Sequence, residues 1–142
     1  MNTLKIDTGE QTFSLNGDCE VSFNPSDATF IRKLYDAFMA LGSRQEEYSS
    51  KRTAIEADDV EGLLAFLATE DAEMRKIVDG VFGVPVCDAV FGDKNIYALS
   101  TAGIPLWASL MLAILDECDT SVVALNKKGS DTVQKYIKKY RK

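Results

Sequence analysis

The sequence predicts an α+β fold, in which a small N-terminal antiparallel β-sheet is followed by a mainly α-helical bundle. The first 23 residues alternate apolar and polar side chains, which is the period of half-buried strands. From Phe30 onward, apolar residues recur every three or four positions, as in helices that bury one face. A chain of 142 residues that is 46% hydrophobic can bury a core as one domain without a disulfide or a metal. The alternating residues are Leu4, Ile6, Phe13, Leu15, Cys19, Val21 and Phe23.

The Asn16-Gly17 dipeptide predicts a hairpin turn within this alternating region. A two-residue turn would set Leu15 opposite a charged residue. A three-residue loop over 16–18 instead pairs Leu15 with Cys19 and Phe13 with Val21 on one face. We therefore predict the three-residue loop.

The first helix is predicted to start at Asn24, which can cap it, with Pro25 in the first helical position and Asp27 in the third. From Gly42 to Asp59 the sequence is polar, and either a solvated continuation of the helix or a mobile connection fits it. The predicted core face of the helix consists of Phe30, Leu34, Phe38 and Leu41.

Three further helical segments are predicted, separated by glycine and proline. The first runs from Val60 to Phe82, with Gly83 as a left-handed cap and Pro85 preventing continuation. A short helix over 85–91 ends at Gly92, and Asp93 is expected to cap one or two further turns through Tyr97. The last helix runs from Pro105 to about Leu125. The apolar face of the first consists of Val60, Leu64, Leu67, Met74, Val78 and Val81, interrupted by Asp71.

Charge divides the chain into two parts. Residues 126–142 contain seven cationic residues and one aspartate, a net charge of +6, whereas the preceding residues carry nine cations and 21 acids, a net charge of −12. We predict a single domain over 1–125, with a β-hairpin or meander at 1–23 and helices at 26–125. Residues 126–142 are predicted to be a basic C-terminal tail or docking helix.

The tail interleaves aromatic and cationic residues, and Val133, Ile137 and Tyr140 share one predicted helical face. Three alternatives follow. The tail can dock on the acidic body or stay solvated, bind a protein partner, or bind nucleic acid through stacking and phosphate contacts. Its candidate partner-binding residues are Lys135, Tyr136, Lys139 and Tyr140.

The residues needed for common enzymatic chemistry are sparse. The absence of histidine excludes Ser-His-Asp and Cys-His sites within this chain. Cys19, Cys87 and Cys118 are odd in number and have no Cys-x-x-Cys spacing, which favours a reduced, cytoplasmic compartment. Cys87 lies in an apolar segment and is predicted to be a small buried residue rather than a nucleophile. We predict no catalytic residue, no metal site and no cofactor.

The chain is charge-free between Lys94 and Asp116, but a continuous helix there can begin only at Pro105. About eleven residues then precede Asp116, and spanning a bilayer takes about twenty. This pattern predicts a buried core helix and no membrane association. Carboxylates cluster at 58–61, 70–73 and 116–119, where helix starts and bends account for most of them.

Short motifs, most of them near the ends of the predicted helices, resemble those of a known family. They are Phe23-Asn24-Pro25-Ser26-Asp27, Asp79-Gly80-Val81-Phe82-Gly83, Cys87, Val90-Phe91-Gly92-Asp93, Asn95, Tyr97, Gly103-Ile104-Pro105-Leu106-Trp107 and the closing Lys138-Lys139-Tyr140-Arg141-Lys142. Over most of its length the chain is similar to small proteins encoded in the tail modules of phages and prophages of Gram-positive bacteria. These are tail assembly chaperones.

This resemblance implies a non-enzymatic protein in the cytoplasm of the bacterial host. Such a protein would bind the phage tape measure protein, help to recruit tail tube protein subunits, and could self-associate. The alternatives are a structural component of a phage tail or capsid, and a small adaptor that binds an anionic partner or nucleic acid through the basic tail. A client groove would lie near Phe82, Phe91, Tyr97 and Trp107, for each of which the alternative is a core position.

Overall fold

The computed structural model describes residues 1–140, except for the side chains of Tyr136 and Tyr140. Within them, a two-stranded antiparallel sheet precedes the helices, which confirms the predicted α+β class. The strands are β1, Gln11–Leu15, and β2, Cys19–Phe23. The helices are α1, Ala28–Thr53, α2, Val60–Phe82, α3, Val86–Phe91, and α4, Leu106–Tyr140.

The hairpin has the predicted register. Phe13 pairs with Val21, and Leu15 pairs with Cys19 across a loop of three residues. Asn16 and Gly17 adopt left-handed conformations, with φ of 55° and 75°, and these residue types tolerate them best. Val21 and Phe23 are buried because this register turns both toward the helices.

The segment before the hairpin does not continue the alternation. Within the described chain, residues 1–10 form no strand, and Leu4 and Ile6 are 85% and 81% exposed. The prediction that these two side chains are half-buried is therefore wrong. The end of this segment is attached to the turn after β2, since the Asn24 Nδ2 donates a hydrogen bond of 2.9 Å to the Thr8 carbonyl.

Helix α1 begins three residues later than predicted. Its N-cap is Asp27, whose Oδ1 accepts a hydrogen bond of 2.9 Å from the Thr29 N–H. The Asn24 side chain accepts from both the backbone and the hydroxyl of Ser26, at 2.9 and 2.7 Å. These bonds stabilise a turn in place of helix, as asparagine commonly does, and Pro25 is buried within it.

The polar region after Gly42 is a solvated continuation of α1 as far as Thr53, one of the two predicted alternatives. Tyr48 is 8% exposed and anchors this continuation to the core. A short connection then leads to Asp59, the N-cap of α2, which accepts a hydrogen bond of 2.9 Å from the Gly62 N–H.

Helix α2 buries the predicted face only in its second half, where Met74, Val78 and Val81 are buried. Val60 and Leu64 are each 59% exposed, so the predicted burial of the first two turns is wrong. The side of the helix that is covered there carries Leu63, Phe66 and Leu67, of which Leu67 belongs to the predicted face. The Phe66 ring stacks on Tyr48 at 5.6 Å.

The predicted helix ends at Phe82 and at Phe91 are confirmed. Gly83 is left-handed with φ of 72°, and its N–H donates to the Asp79 carbonyl at 2.8 Å. Helix α3 follows Pro85 and ends at Gly92, which has φ of 57°.

The helical turns predicted from Asp93 to Tyr97 are absent from the described structure, where 92–105 consists of turns and an isolated antiparallel bridge between Leu99 and Pro105. The Lys94 carbonyl, which would accept a hydrogen bond within such a helix, accepts one of 2.6 Å from Arg75, and the Gly92 carbonyl before it accepts another of 3.0 Å. Tertiary contacts therefore override the local capping signal in this loop.

Helix α4 does not end near Leu125 but continues to Tyr140, so the boundary predicted between 125 and 126 is not a break in the backbone. Residues 126–140 contain no proline, and five lysines and Gln134 are the good helix formers among them. Every described side chain from Val123 onward is exposed. We call residues 123–140 the projecting segment, and the rest of the described chain the body.

Docking of the tail on its own body is one of the predicted alternatives, and the described side chains of the tail do not show it. Val133 and Ile137, two of the three residues on the predicted docking face, are 55% and 41% exposed, and the side chain of the third, Tyr140, lies outside the described ones. The solvated alternative holds for the described part of the tail, while Arg141 and Lys142 lie outside the described residues.

The core is continuous from the hairpin to the start of α4. At the hairpin end, Phe23 stacks on Phe13 at 4.7 Å and on Phe30 at 4.5 Å. Farther along, Leu41 and Met111 from α1 and α4 are fully buried. Such packing is the main stabilising contribution to a domain of this size.

Candidate functional site

Three of the four aromatic residues expected near a client groove lie in the core. Phe91, Tyr97 and Trp107 are 8%, 7% and 4% exposed, and Phe82 is half-buried against the rings of Phe23 and Phe30. Of the two predicted alternatives, groove and core, Phe91, Tyr97 and Trp107 therefore occupy core positions. They do not form an open apolar surface that a partner helix could reach without unfolding the body.

Trp107 shows how these aromatics are fixed. Its indole Nε1–H donates a hydrogen bond of 2.9 Å to the Gln45 Oε1, and its ring lies 5.9 Å from that of Phe38. A buried tryptophan normally needs such a partner for its N–H. The contact joins the first turn of α4 to the middle of α1.

A polar cluster surrounds Glu70, which is 8% exposed. Its carboxylate accepts a hydrogen bond of 3.3 Å from the Tyr97 hydroxyl and forms an ion pair with Arg44 at 3.3 Å. The Tyr97 ring stacks on Tyr48 with 3.9 Å between centroids. Burial, and then the charge of Glu70, raise the pKa of Tyr97, so this phenol stays protonated and acts as a donor.

A second polar cluster is centred on Arg75, whose side chain is 13% exposed. Its guanidinium contacts Asp71 at 2.9 Å and Asp88 at 2.7 Å, besides the two loop carbonyls described above. Burial alone would lower the pKa of Arg75, but Asp71 and Asp88 raise it above its ordinary value. This residue joins α2, α3 and the following loop.

The carboxylates at 70–73 are thus engaged in structural bonds. The second Asp71 oxygen accepts the Ile96 N–H at 2.7 Å, and Glu73 pairs with Lys76 at 3.2 Å. Elsewhere, Asp79 accepts the Cys87 N–H at 3.0 Å. Within residues 1–140, no group of three or more Cys, Asp or Glu side chains is arranged to hold a metal ion.

The three cysteines are free, and Cys87 and Cys118 are buried. Burial is the main cause that raises the pKa of each thiol, and Asp79 adds to the effect at Cys87. A raised pKa lowers the thiolate population and therefore the reactivity. The prediction that Cys87 is a small buried residue agrees with its full burial.

The four predicted tail residues all belong to the projecting segment. Lys135 and Lys139 are exposed, whereas the side chains of Tyr136 and Tyr140 lie outside the described ones. The segment also exposes large apolar side chains, at fractions from 39% to 69%. These are Val123, Leu125, Val133 and Ile137.

Sequence reasoning missed Glu70, Arg44 and Arg75 as the centres of the polar clusters. The sequence shows an acidic residue within the predicted apolar face of α2, but that residue is Asp71 and not Glu70. The partners are 26 residues apart for Arg44 and Glu70, and 17 and 19 residues apart for Arg75 and its loop carbonyls. No local pattern reports contacts at such separations.

Comparisons with protein-family models, with curated proteins and with solved structures yield no match to this chain. Among residues 1–140, none of the helices combines the length and apolarity needed to cross a membrane.

Proposed function

We propose that the protein is a non-enzymatic binding protein whose binding element is the projecting segment. The observation that carries this proposal is the exposure of four large apolar side chains on an amphipathic helix that nothing in the body covers. Amphipathic helices of this kind bind partners by placing an apolar face in a groove or against another helix. Val133 and Ile137 are four residues apart and therefore share one face of this helix, next to the exposed lysines.

The chemistry of the body is compatible with this role. Its buried charged groups, Glu70 and Arg75, hold helices and loops together, and its thiols have raised pKa values.

Following the resemblance of its motifs, we propose further that the protein is a phage tail assembly chaperone-like protein in the cytoplasm of a bacterial host. Its client would be the tape measure protein, and it would help to recruit tail tube subunits. Tape measure proteins are long and helical, and a projecting amphipathic helix suits a helical client.

The test is co-expression of the full chain with the tape measure protein encoded near it. We expect the two proteins to co-purify, and the double variant V133D/I137D to lose the client, since two charges would replace exposed apolar contacts. The matched control is L4D/I6D, which adds the same charges at exposed apolar positions of the body.

Two outcomes would overturn the proposal. If the unmodified chain does not retain the tape measure protein, the chaperone assignment fails. If V133D/I137D retains the client as well as the control does, the projecting segment is not the binding element. Mass spectrometry of assembled particles separates an assembly factor, which is absent from virions, from a structural component, which persists.

A further inference from the structure

The projecting segment carries unbalanced positive charge beside its apolar side chains. Lys127, Lys128, Lys135 and Lys138 are exposed, and Asp131 is the acidic residue among them. Since each residue of an α-helix advances about 1.5 Å, the segment is about 27 Å long. It is therefore a basic, partly apolar rod.

Helix α2 presents a surface of the opposite kind. Val60 and Leu64 lie one turn apart on the same side of the helix and are each 59% exposed. Exposed alanines continue this side, which we call the α2 face, and their small side chains allow another helix to approach closely. The face consists of Val60, Leu64, Ala65, Ala68 and Ala72.

The N-terminal end of the α2 face is acidic. Residues 54–64 contain four carboxylates and neither lysine nor arginine, whereas Glu70, Asp71 and Glu73 farther along the helix are paired with Arg44, Arg75 and Lys76. Glu56, Asp58 and Glu61 are exposed near the first turn of the helix. The charge and the apolar character of the two surfaces are thus complementary, which favours and orients association.

The projecting segment cannot reach the α2 face of its own chain in this structure, because α4 is unbroken from Leu106 to Tyr140 and the described side chains of the segment are exposed. We infer that the projecting segment docks on the α2 face of a second copy of this chain. The two surfaces are different, so two copies can exchange segments reciprocally in a two-fold dimer, or each copy can place its segment on the next in a ring or an open filament.

Pairing of two projecting segments with each other is disfavoured by the same charges. Residues 126–142 carry a net charge of +6 in each copy, and like charges repel. The two arrangements respond oppositely to salt, since screening weakens attraction between the segment and the α2 face and relieves repulsion between two segments.

The first experiment is analytical ultracentrifugation of the purified full chain over a range of concentrations at 50 and 500 mM NaCl. We expect the average mass to rise with concentration at low salt, and the dissociation constant to increase at least tenfold at high salt. A chain that stays monomeric at millimolar concentration, or that associates more strongly at high salt, overturns the inference.

The second experiment exchanges the charges. One variant carries K128E/K135E/K138E and the other carries E56K/D58K/E61K, which leaves the N-cap Asp59 intact. Each variant alone should have lost association, because the first set of substitutions leaves residues 126–142 with no net charge and the second places three lysines beside the α2 face. An equimolar mixture should recover it, because the unchanged segment of the second variant can dock on the unchanged α2 face of the first.

The matched control is K5E/K33E/K94E, which makes the same change in net charge at exposed lysines of the body. We expect it to associate within about twofold of the unmodified chain. Circular dichroism verifies that all variants are folded. If the mixture stays monomeric while both variants are folded, or if the control loses association equally, specific docking is overturned.

This inference does not rest on the chaperone assignment, since only the purified chain is present in the experiments. A chain that self-associates but retains no tape measure protein would refute the proposed function alone. A chain that binds its client and stays monomeric would refute the docking alone.

Discussion

The two halves of α4 share one backbone conformation but have different neighbours. In the first half, Trp107, Met111 and Cys118 are buried against the body, whereas the described side chains of the projecting segment are exposed. Isolated helices of this length are marginally stable in water, and most helical stability in proteins comes from packing. The same helix is therefore packed into the fold at one end and exposed to solvent at the other.

The largest contrast is expected from matched leucines. Leu41→Ala should lower the free energy of unfolding by about 4 kcal/mol, because a fully buried side chain is replaced by a cavity. Leu125→Ala should change it by less than about 0.5 kcal/mol, because that side chain is 39% exposed on the projecting segment. Urea denaturation measures both, and equal losses would show that the segment is packed in solution.

The next largest effect is expected at the Arg75 cluster. Arg75→Ala should cost about 3 kcal/mol, since it leaves Asp71 and two loop carbonyls without their partner. The control is Arg32→Ala, which breaks an ion pair of a side chain that is 74% exposed and should cost less than about 1 kcal/mol. A small loss at Arg75 would mean that the loop at 92–105 is held mainly by its other contacts.

A smaller effect should appear at high pH. The pKa of Tyr97 is raised above its ordinary value of 10 in the folded chain, by burial and then by Glu70. Above pH 10 the unfolded chain releases this proton while the folded chain keeps it, so stability falls by about 1.4 kcal/mol per pH unit until the folded pKa is reached. The unfolding free energy of Tyr97→Phe, measured from pH 9.5 to 11, should fall less steeply than that of Tyr35→Phe. Equal slopes would contradict the pKa shift.

The smallest effect concerns two helical glycines. Gly42 lies in α1, and Gly42→Ala should stabilise the body by up to about 1 kcal/mol. Gly129 lies in the projecting segment, and Gly129→Ala should stabilise the helix there by a similar amount. The first should raise the urea midpoint. The second should leave the midpoint unchanged and slow amide exchange in the projecting segment alone. A raised midpoint for Gly129→Ala would indicate that the segment unfolds together with the body.

The predictable parts of this fold are those fixed by local chemistry. The hairpin register follows from alternation around Asn16-Gly17, and the end of α2 follows from Gly83. The start of α1 and the loop after Gly92 were predicted wrongly, because the Asn24 side chain stabilises a turn and Arg75 takes two carbonyls from across the fold.

The candidate site was predictable only in part. The basic and apolar character of the projecting segment can be read from the sequence. Its exposure depends on whether α4 continues past Leu125, and the presence of Gly129 in the sequence predicts neither a break nor a continuation there. Phe91, Tyr97 and Trp107 were expected near a groove or in the core, and only tertiary packing decides between these alternatives.

Because α4 is unbroken, a tilt of its packed end moves the whole projecting segment. From Trp107 to Tyr140 the helix extends about 50 Å, so a tilt of about 10° at the Trp107–Gln45 contact would move the far end by about 9 Å. A substitution in the core that tilts α4 can therefore change the direction in which the projecting segment points. In an assembly of repeated copies, such a change would alter the pitch or the closure of the whole array.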